Sequence, residues 1–188
     1  MNNTAEKINH IVNGVDTEVL GNLAANISGD EEYGKFKFRA SNQWITGARS
    51  RSSIQGFYAG GDENTERKEP LYVDADQPSF FYGQNTAPNP VEYLLHALNS
   101  CLTFTLVSHA TFQGVQLDEV ETSSEGDMNA RGLFGISDKV NKGYSHVRVN
   151  MRVKSDADAD TLTEMAMFSP VYEVISRSLP VDFTLTKI

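Results

Sequence analysis

Asn89-Pro90-Val91-Glu92-Tyr93-Leu94-Leu95-His96-Ala97-Leu98-Asn99-Ser100-Cys101-Leu102-Thr103-Phe104-Thr105-Leu106-Val107-Ser108-His109-Ala110-Thr111-Phe112-Gln113-Gly114 is the stretch on which the fold turns. The 25 residues between Glu92 and Asp118 include no Asp, Glu, Lys or Arg. Proline suits a first helical turn, where its missing N–H has no intrahelical acceptor to lose, and an asparagine before it suits the N-cap. Gly114 is a natural stop. The length approaches that of a membrane span, but His96, Asn99, Ser100, His109 and Gln113 interrupt it too often. The pattern predicts a long helix, buried around most of its circumference, as the central element of a domain.

Upstream of this helix the apolar period is two. Phe36, Phe38 and Ala40 alternate with Lys37 and Arg39, which predicts a strand beginning at Lys35. Thr46-Gly47-Ala48 reads as a turn, Ser50 to Tyr58 as a second strand, Gly60 to Asn64 as a loop, and Leu71-Tyr72-Val73 as a short third strand. Before them, Asp16 is placed to cap a short helix ending near Ile27. Downstream, Leu117–Met128 and Tyr144–Val153 read as strands, Asp158–Met167 as a helix, and Ser169–Leu179 as another. Pro180–Ile188 is a last strand. Strands, a long helix, more strands, then helices and a strand imply an α+β fold. The expected division is an N-terminal helical extension over 1–34 and one domain over 35–188.

Composition narrows the function. The chain has 188 residues, 39% of them hydrophobic, and a formal charge of −9, with a pI near 4.9. That is enough chain for one real core without staples. The acid surplus argues against nucleic acid, which demands a basic face. No basic amphipathic helix suggests a membrane surface. The start, MNNTAEKINH, lacks the apolar run of a signal peptide, so a cytoplasmic protein is expected. One cysteine forbids an internal disulfide, and no Cys/His spacing suits zinc. No metal or other cofactor is therefore expected. Asp118, Glu119, Glu121, Glu125 and Asp127 read as the wet face of an edge strand rather than a cation site.

Cys101 is the only thiol. Leu94, Leu98, Thr105 and Ser108 share its side of the helix, at about 100° per residue. A lone cysteine in such a place is either a small buried apolar residue or a reactive thiol. The second requires a nearby cation and access to solvent. His96 and His109 lie about 140° and 80° around the axis from Cys101, so a Cys-His pair on this helix is not expected. They are also about 220° from each other, which removes a shared ligand face.

The run from Asn89 to Leu102 resembles the first cysteine motif of the OsmC/Ohr family, the osmotically inducible and organic hydroperoxide resistance proteins. The Phe168-Ser169-Pro170-Val171 junction resembles that family's second motif, where a cysteine precedes the proline. Gly47-Ala48-Arg49-Ser50-Arg51 sits where the family carries an arginine on an early strand. The resemblance covers about residues 35–188. It implies an OsmC-like fold of antiparallel sheets around long central helices, assembled as an intertwined homodimer with sites between subunits. In the peroxidase members a cysteine thiolate, stabilised by arginine, attacks a hydroperoxide, and a glutamate holds the arginine. A second cysteine then resolves the sulfenic acid, and an external dithiol reduces the disulfide.

Two positions depart from that pattern. Ser169 stands where the resolving cysteine would be, and Val91 stands where the glutamate follows the motif proline. Glu92, one residue later, falls about 180° from Cys101 around the helix. Ser169 is also a complete N-cap by itself, with Pro170 and Glu173 behind it. The resulting expectation is a single-cysteine reductase of organic hydroperoxides. Cys101 would be its thiol and Arg51 its cation, with Arg49, Glu92 and Ser169 as possible supporting residues and an outside thiol as reductant. The alternative is a non-catalytic module that uses the same dimer-interface pocket to bind a small molecule, whether a hydrophobic compound, a hydroperoxide or another acidic or oxidised ligand, without turnover.

Overall fold

The computed structural model describes residues 10–188. In chain order its elements are β1 (Ile11–Val12), β2 (Val15–Asp16), α1 (Thr17–Gly29), β3 (Ser41–Thr46), β4 (Arg49–Ile54), β5 (Phe57–Ala59), β6 (Asp62–Asn64) and β7 (Leu71–Ala75). After these come α2 (Pro90–Phe112), β8 (Glu119–Asp127), α3 (Ala130–Leu133), β9 (His146–Lys154), α4 (Ala159–Ala166), α5 (Pro170–Ser176) and β10 (Val181–Lys187). The chain divides into two compact units, one running to Leu20 and resuming at Leu95, the other Gly21–Leu94.

The first unit holds the apolar core. Its sheet has the order β10-β9-β8. Along the central strand β9, Val147, Val149, Met151 and Val153 are buried at alternate positions, the period-2 signature of a strand with one dry face. Helix α2 buries Leu98, Leu102, Leu106 and Ala110, a 4-residue spacing that keeps them on one stripe. Thr103 hydrogen-bonds Thr122 of β8 at 2.8 Å, joining helix to sheet. Leu162, Met165 and Ala166 of α4 complete the dry interior, as their shared side predicts. Strands β8 and β9 pair antiparallel, but β9 and β10 pair parallel, with Val181 opposite Val147. This pair is the exception to the antiparallel expectation. Its cause is the connection: α4 and α5 carry the chain back to the starting end, as a parallel pair requires.

The acidic residues of β8 behave as the edge-strand reading predicts. Arg148 takes Asp127 with two bonds of 2.8 and 2.9 Å and Glu125 with one of 2.6 Å, and Arg152 takes Glu121 at 2.7 Å. Among the described residues no group of three His, Cys, Asp or Glu could hold a metal ion, and no helix is long and apolar enough to cross a membrane. A two-strand ribbon precedes α1. It turns on Asn13 and Gly14, both at positive φ, the pair favoured in tight hairpins. The Asn13 side chain then bonds the Val115 carbonyl and the Leu117 N–H at the far end of α2. Asp16 caps α1 as expected, accepting from the N–H groups of Glu18 and Val19.

The second unit is built differently. Its sheet is β3-β4-β7, antiparallel throughout, beside the separate hairpin β5-β6. The strand expected from Lys35 begins only at Ser41. Phe36, Phe38 and Phe57 do stack in series, at 6.1 and 5.7 Å between centroids. Backbone pairing there is limited to the Lys37–Tyr58 bridge, because alternation reports an extended chain and not a ladder. The expected Ser50–Tyr58 strand breaks at Gln55-Gly56 into β4 and β5. Asp76 alone is buried in this unit; every buried apolar side chain among the described residues belongs to the other.

Asp76 organises the loop that leads into α2. Its carboxylate accepts from the N–H groups of Gln77, Gln84 and Thr86 and from the Thr86 hydroxyl, at 2.8–3.3 Å. Gly83 closes this loop: a Cβ there would lie 1.8 Å from the Gln77 carbonyl oxygen, so no other residue fits without displacing backbone.

Candidate functional site

Helix α2 starts as the sequence predicts. Asn89 Oδ1 accepts from the Glu92 N–H at 2.9 Å, and Glu92 Oε2 accepts from the Asn89 N–H at 2.8 Å. This reciprocal capping box satisfies two donors that a helix start leaves open, and it gives Glu92 a structural role. Glu92→Ala is therefore expected to cost about 1 kcal/mol of stability. Thermal unfolding beside thiol alkylation checks this: the midpoint falls and the rate of Cys101 modification stays unchanged.

Cys101 lies about three turns beyond this cap, half-buried and free. Its carbonyl accepts the Thr105 hydroxyl at 2.8 Å. The expectation that α2 is buried around most of its circumference is corrected here. One face is dry, while Leu94, Phe104 and Phe112 are 40%, 71% and 63% exposed. These residues fall within about 60° of Cys101 around the axis. The lack of charge on this side therefore does not mark it as buried within the single chain.

Ser169 is fully buried and caps α5, accepting from the Tyr172 N–H at 3.2 Å, with Pro170 next and Glu173 in the first turn. That matches the capping reading in full. Phe168 before it stacks on His109 at 4.3 Å, 17° from parallel. Cys101, Ser169, His109 and Phe168 all belong to the first unit; Arg49, Arg51 and Glu92 belong to the second.

Within the second unit Arg51 has a fixed geometry. It stands opposite Asp74 in the β4–β7 register. Its Nε and Nη2 donate to the two Asp74 oxygens at 2.5 and 2.8 Å, the two-pronged match of a planar guanidinium to a carboxylate. Tyr72 lies under the guanidinium, 5.7 Å from ring centroid to Cζ. The hydrogen bonds and charge of Arg51 hold the Asp74 carboxyl below its usual range, and those of Asp74 raise Arg51. Tyr93, in the first turn of α2, donates to the Asp74 carbonyl at 2.6 Å. Among the described residues Arg49 forms no such pair, although its charge also lowers Asp74. Asp74 escaped the sequence reading because a cross-strand partner twenty-three residues away is visible only once the register is known.

The fold is that of an α+β protein with one long, largely uncharged helix lying between two sheets in chain order. A profile of the OsmC-like protein family matches residues 83–184, just over half of the chain. The chain belongs to this family. Among solved structures, an OsmC-like protein from Mycoplasma pneumoniae aligns with a TM-score of 0.61 at 11% identity, over 81% of this chain and 97% of its own. An organic hydroperoxide resistance protein from Elizabethkingia anophelis gives 0.56 at 13%, over 81% and 96%. An organic hydroperoxide resistance protein OsmC from Legionella pneumophila gives 0.53 at 16%, over 80% and 96%. No curated protein matches the chain. At these identities the likeness establishes the fold.

Proposed function

We propose that this protein is a thiol-dependent reductase of organic hydroperoxides in which Cys101 is the attacking sulfur and Arg51 the cation that favours its thiolate. Family membership and the place of Cys101 in the first motif support the chemistry. The observation that carries it is the partial exposure of Cys101 on a helix whose only formal charge is Glu92 of the first turn, since an inert core thiol would be fully dry. Asp74 takes the part of the carboxylate that the family pattern puts at position 91, holding Arg51 in one orientation.

The reaction balances without a second protein thiol. The Cys101 thiolate attacks the outer oxygen of the hydroperoxide, the O–O bond breaks, and the departing alkoxide takes a proton to become an alcohol. The sulfenic acid condenses with an external thiol, releasing water and leaving a mixed disulfide. A second external thiol then frees Cys101 as thiolate.

A homodimer belongs to this reading. A three-stranded sheet and a hairpin with no buried apolar side chain cannot hold themselves together in water, so Gly21–Leu94 requires a covering surface. A second copy supplies one. The alternative of a non-catalytic binder of small hydrophobic ligands is favoured by Ser169, which is accounted for as a cap and offers no resolving sulfur.

Intact mass after organic hydroperoxide treatment separates the two. The reductase gains one oxygen at Cys101 far faster than a free thiol does, and an added dithiol reverses the gain over many turnovers. Oxidation no faster than that of a free thiol leaves the binder.

A further inference from the structure

The loop between β8 and β9 has a construction that neither the fold nor the thiol chemistry requires. Asn129 caps α3 through the Arg131 N–H. The helix ends in two backbone bonds, Ile136 N–H to the Arg131 carbonyl and Gly135 N–H to the Gly132 carbonyl, with Gly135 at φ +65°. This double closure is a Schellman stop, which fixes the direction of the residues beyond it. Gly132 is buried against the returning chain: a Cβ there would lie 2.1 Å from the Asn141 carbonyl oxygen. The turn is therefore rigid by its backbone, whatever side chains it carries.

It carries large apolar ones in water. Leu133 is 54% and Ile136 67% exposed, with Phe134 half-exposed between them. Arg131, Lys139 and Lys142 are exposed around them, and the Gly132–Asn141 contact brings Lys142 beside α3. None of these three cations forms an ion pair among the described residues, a state they share with Lys37, Arg49, Arg67, Lys68, Lys154 and Lys187; what sets them apart is their place around one apolar turn. Residues 131–142 hold three cations and one acid, Asp138, a local charge of +2 in a chain of −9. A cleft of about 300 Å³, lined by Asn129, Lys139, Val140, Asn141, Gly143 and Ser145, opens at the foot of the loop.

We propose that this tip is a peripheral docking point for an anionic bilayer surface, with Leu133 and Ile136 entering the acyl boundary and Arg131, Lys139 and Lys142 meeting the headgroups. Three side chains on one turn bury about 300 Å² at most, well under the ~800 Å² per partner of a stable protein interface. A fluid boundary needs no matching shape and accepts such a point, provided charge adds to it. The spare cations have the sign that anionic headgroups select. The sequence has no basic amphipathic helix; the apolar and basic groups become neighbours only because the turn folds back.

Co-sedimentation of the full chain with vesicles tests this. Vesicles of phosphatidylcholine with about one-third phosphatidylserine should retain roughly tenfold more protein than phosphatidylcholine alone, and high salt should release it. Leu133→Ser with Ile136→Ser, and separately Lys139→Glu with Lys142→Glu, should each lower retention about tenfold at an unchanged unfolding midpoint and elution volume. In a Trp44→Phe background, Ile136→Trp should show blue-shifted emission quenched by brominated acyl chains. Equal retention on both vesicles, or retention indifferent to both pairs of substitutions, overturns the proposal. So does a changed elution volume in the Leu133→Ser, Ile136→Ser protein, which would show that a second copy covers the tip.

Discussion

Cys101→Ser is expected to abolish hydroperoxide reduction entirely, and the variants of its supporting pair should fail in two distinguishable ways. Arg51→Ala removes the positive charge. Alkylation of Cys101 should then require a higher pH and slow near neutrality, because a thiolate without a cation beside it is harder to form. Asp74→Ala has the opposite electrostatic sign: the guanidinium keeps its charge and loses the carboxylate that neutralises it. The alkylation profile should stay in place or move to lower pH. Peroxide turnover should nevertheless fall by roughly tenfold or more, because an arginine without its two-pronged partner no longer holds one orientation. Asp74→Glu should restore part of the turnover. An Asp74→Ala protein whose alkylation profile rises in pH with its loss of turnover would mean that Asp74 is merely part of the fold. Full turnover in Cys101→Ser would remove the thiol from the chemistry.

Asp76 should dominate the stability of the second unit. It is 1% exposed and accepts from four donors. Those bonds, led by the Thr86 N–H, draw its pKa down from 3.8 to about 2. The sign of the pH dependence follows. The unfolded chain takes up a proton near 3.8 and the folded one only near 2, so the stabilisation is complete above about pH 4 and disappears as pH falls toward 2. Asp76→Asn keeps the shape but turns one acceptor into a donor facing N–H groups. Its unfolding midpoint should lie about 5 °C or more below that of the natural chain at pH 7. The gap should close between about pH 4 and pH 2. A gap that is constant with pH would mean that the charge of Asp76 contributes nothing.

The parts of the fold legible in the sequence were those fixed by local rules. Asn89, Pro90 and Gly114 bound α2 because caps and stops are chosen by the few residues next to them. Asp16, Asp158 and Ser169 mark helix starts for the same reason. The alternate burial along β9 follows from its period. What local rules do not fix was not legible. Lys35 to Ala40 is extended but barely paired, because partner availability decides pairing. The uncharged surface of α2 gave no sign that Phe104 and Phe112 would stand exposed in a single chain. Around the candidate site, Cys101 and Ser169 were readable from their motif positions. Asp74 was not, since its value lies in a register with β4 and in the hydroxyl of Tyr93 against its carbonyl. The turn at Leu133–Ile136 was visible only as a string of glycines; its rigidity comes from backbone bonds that composition does not encode.

The hydroxyl at position 169 has a consequence for timing. A protein with its own second sulfur can bank an oxidising event and wait. Here the slot is filled by an oxygen already committed to starting a helix, so nothing inside the chain can relieve an oxidised Cys101. On the proposed reaction, renewal of the site would depend on how often a visiting sulfhydryl arrives, and its throughput would gauge how well the surroundings are stocked with reductant.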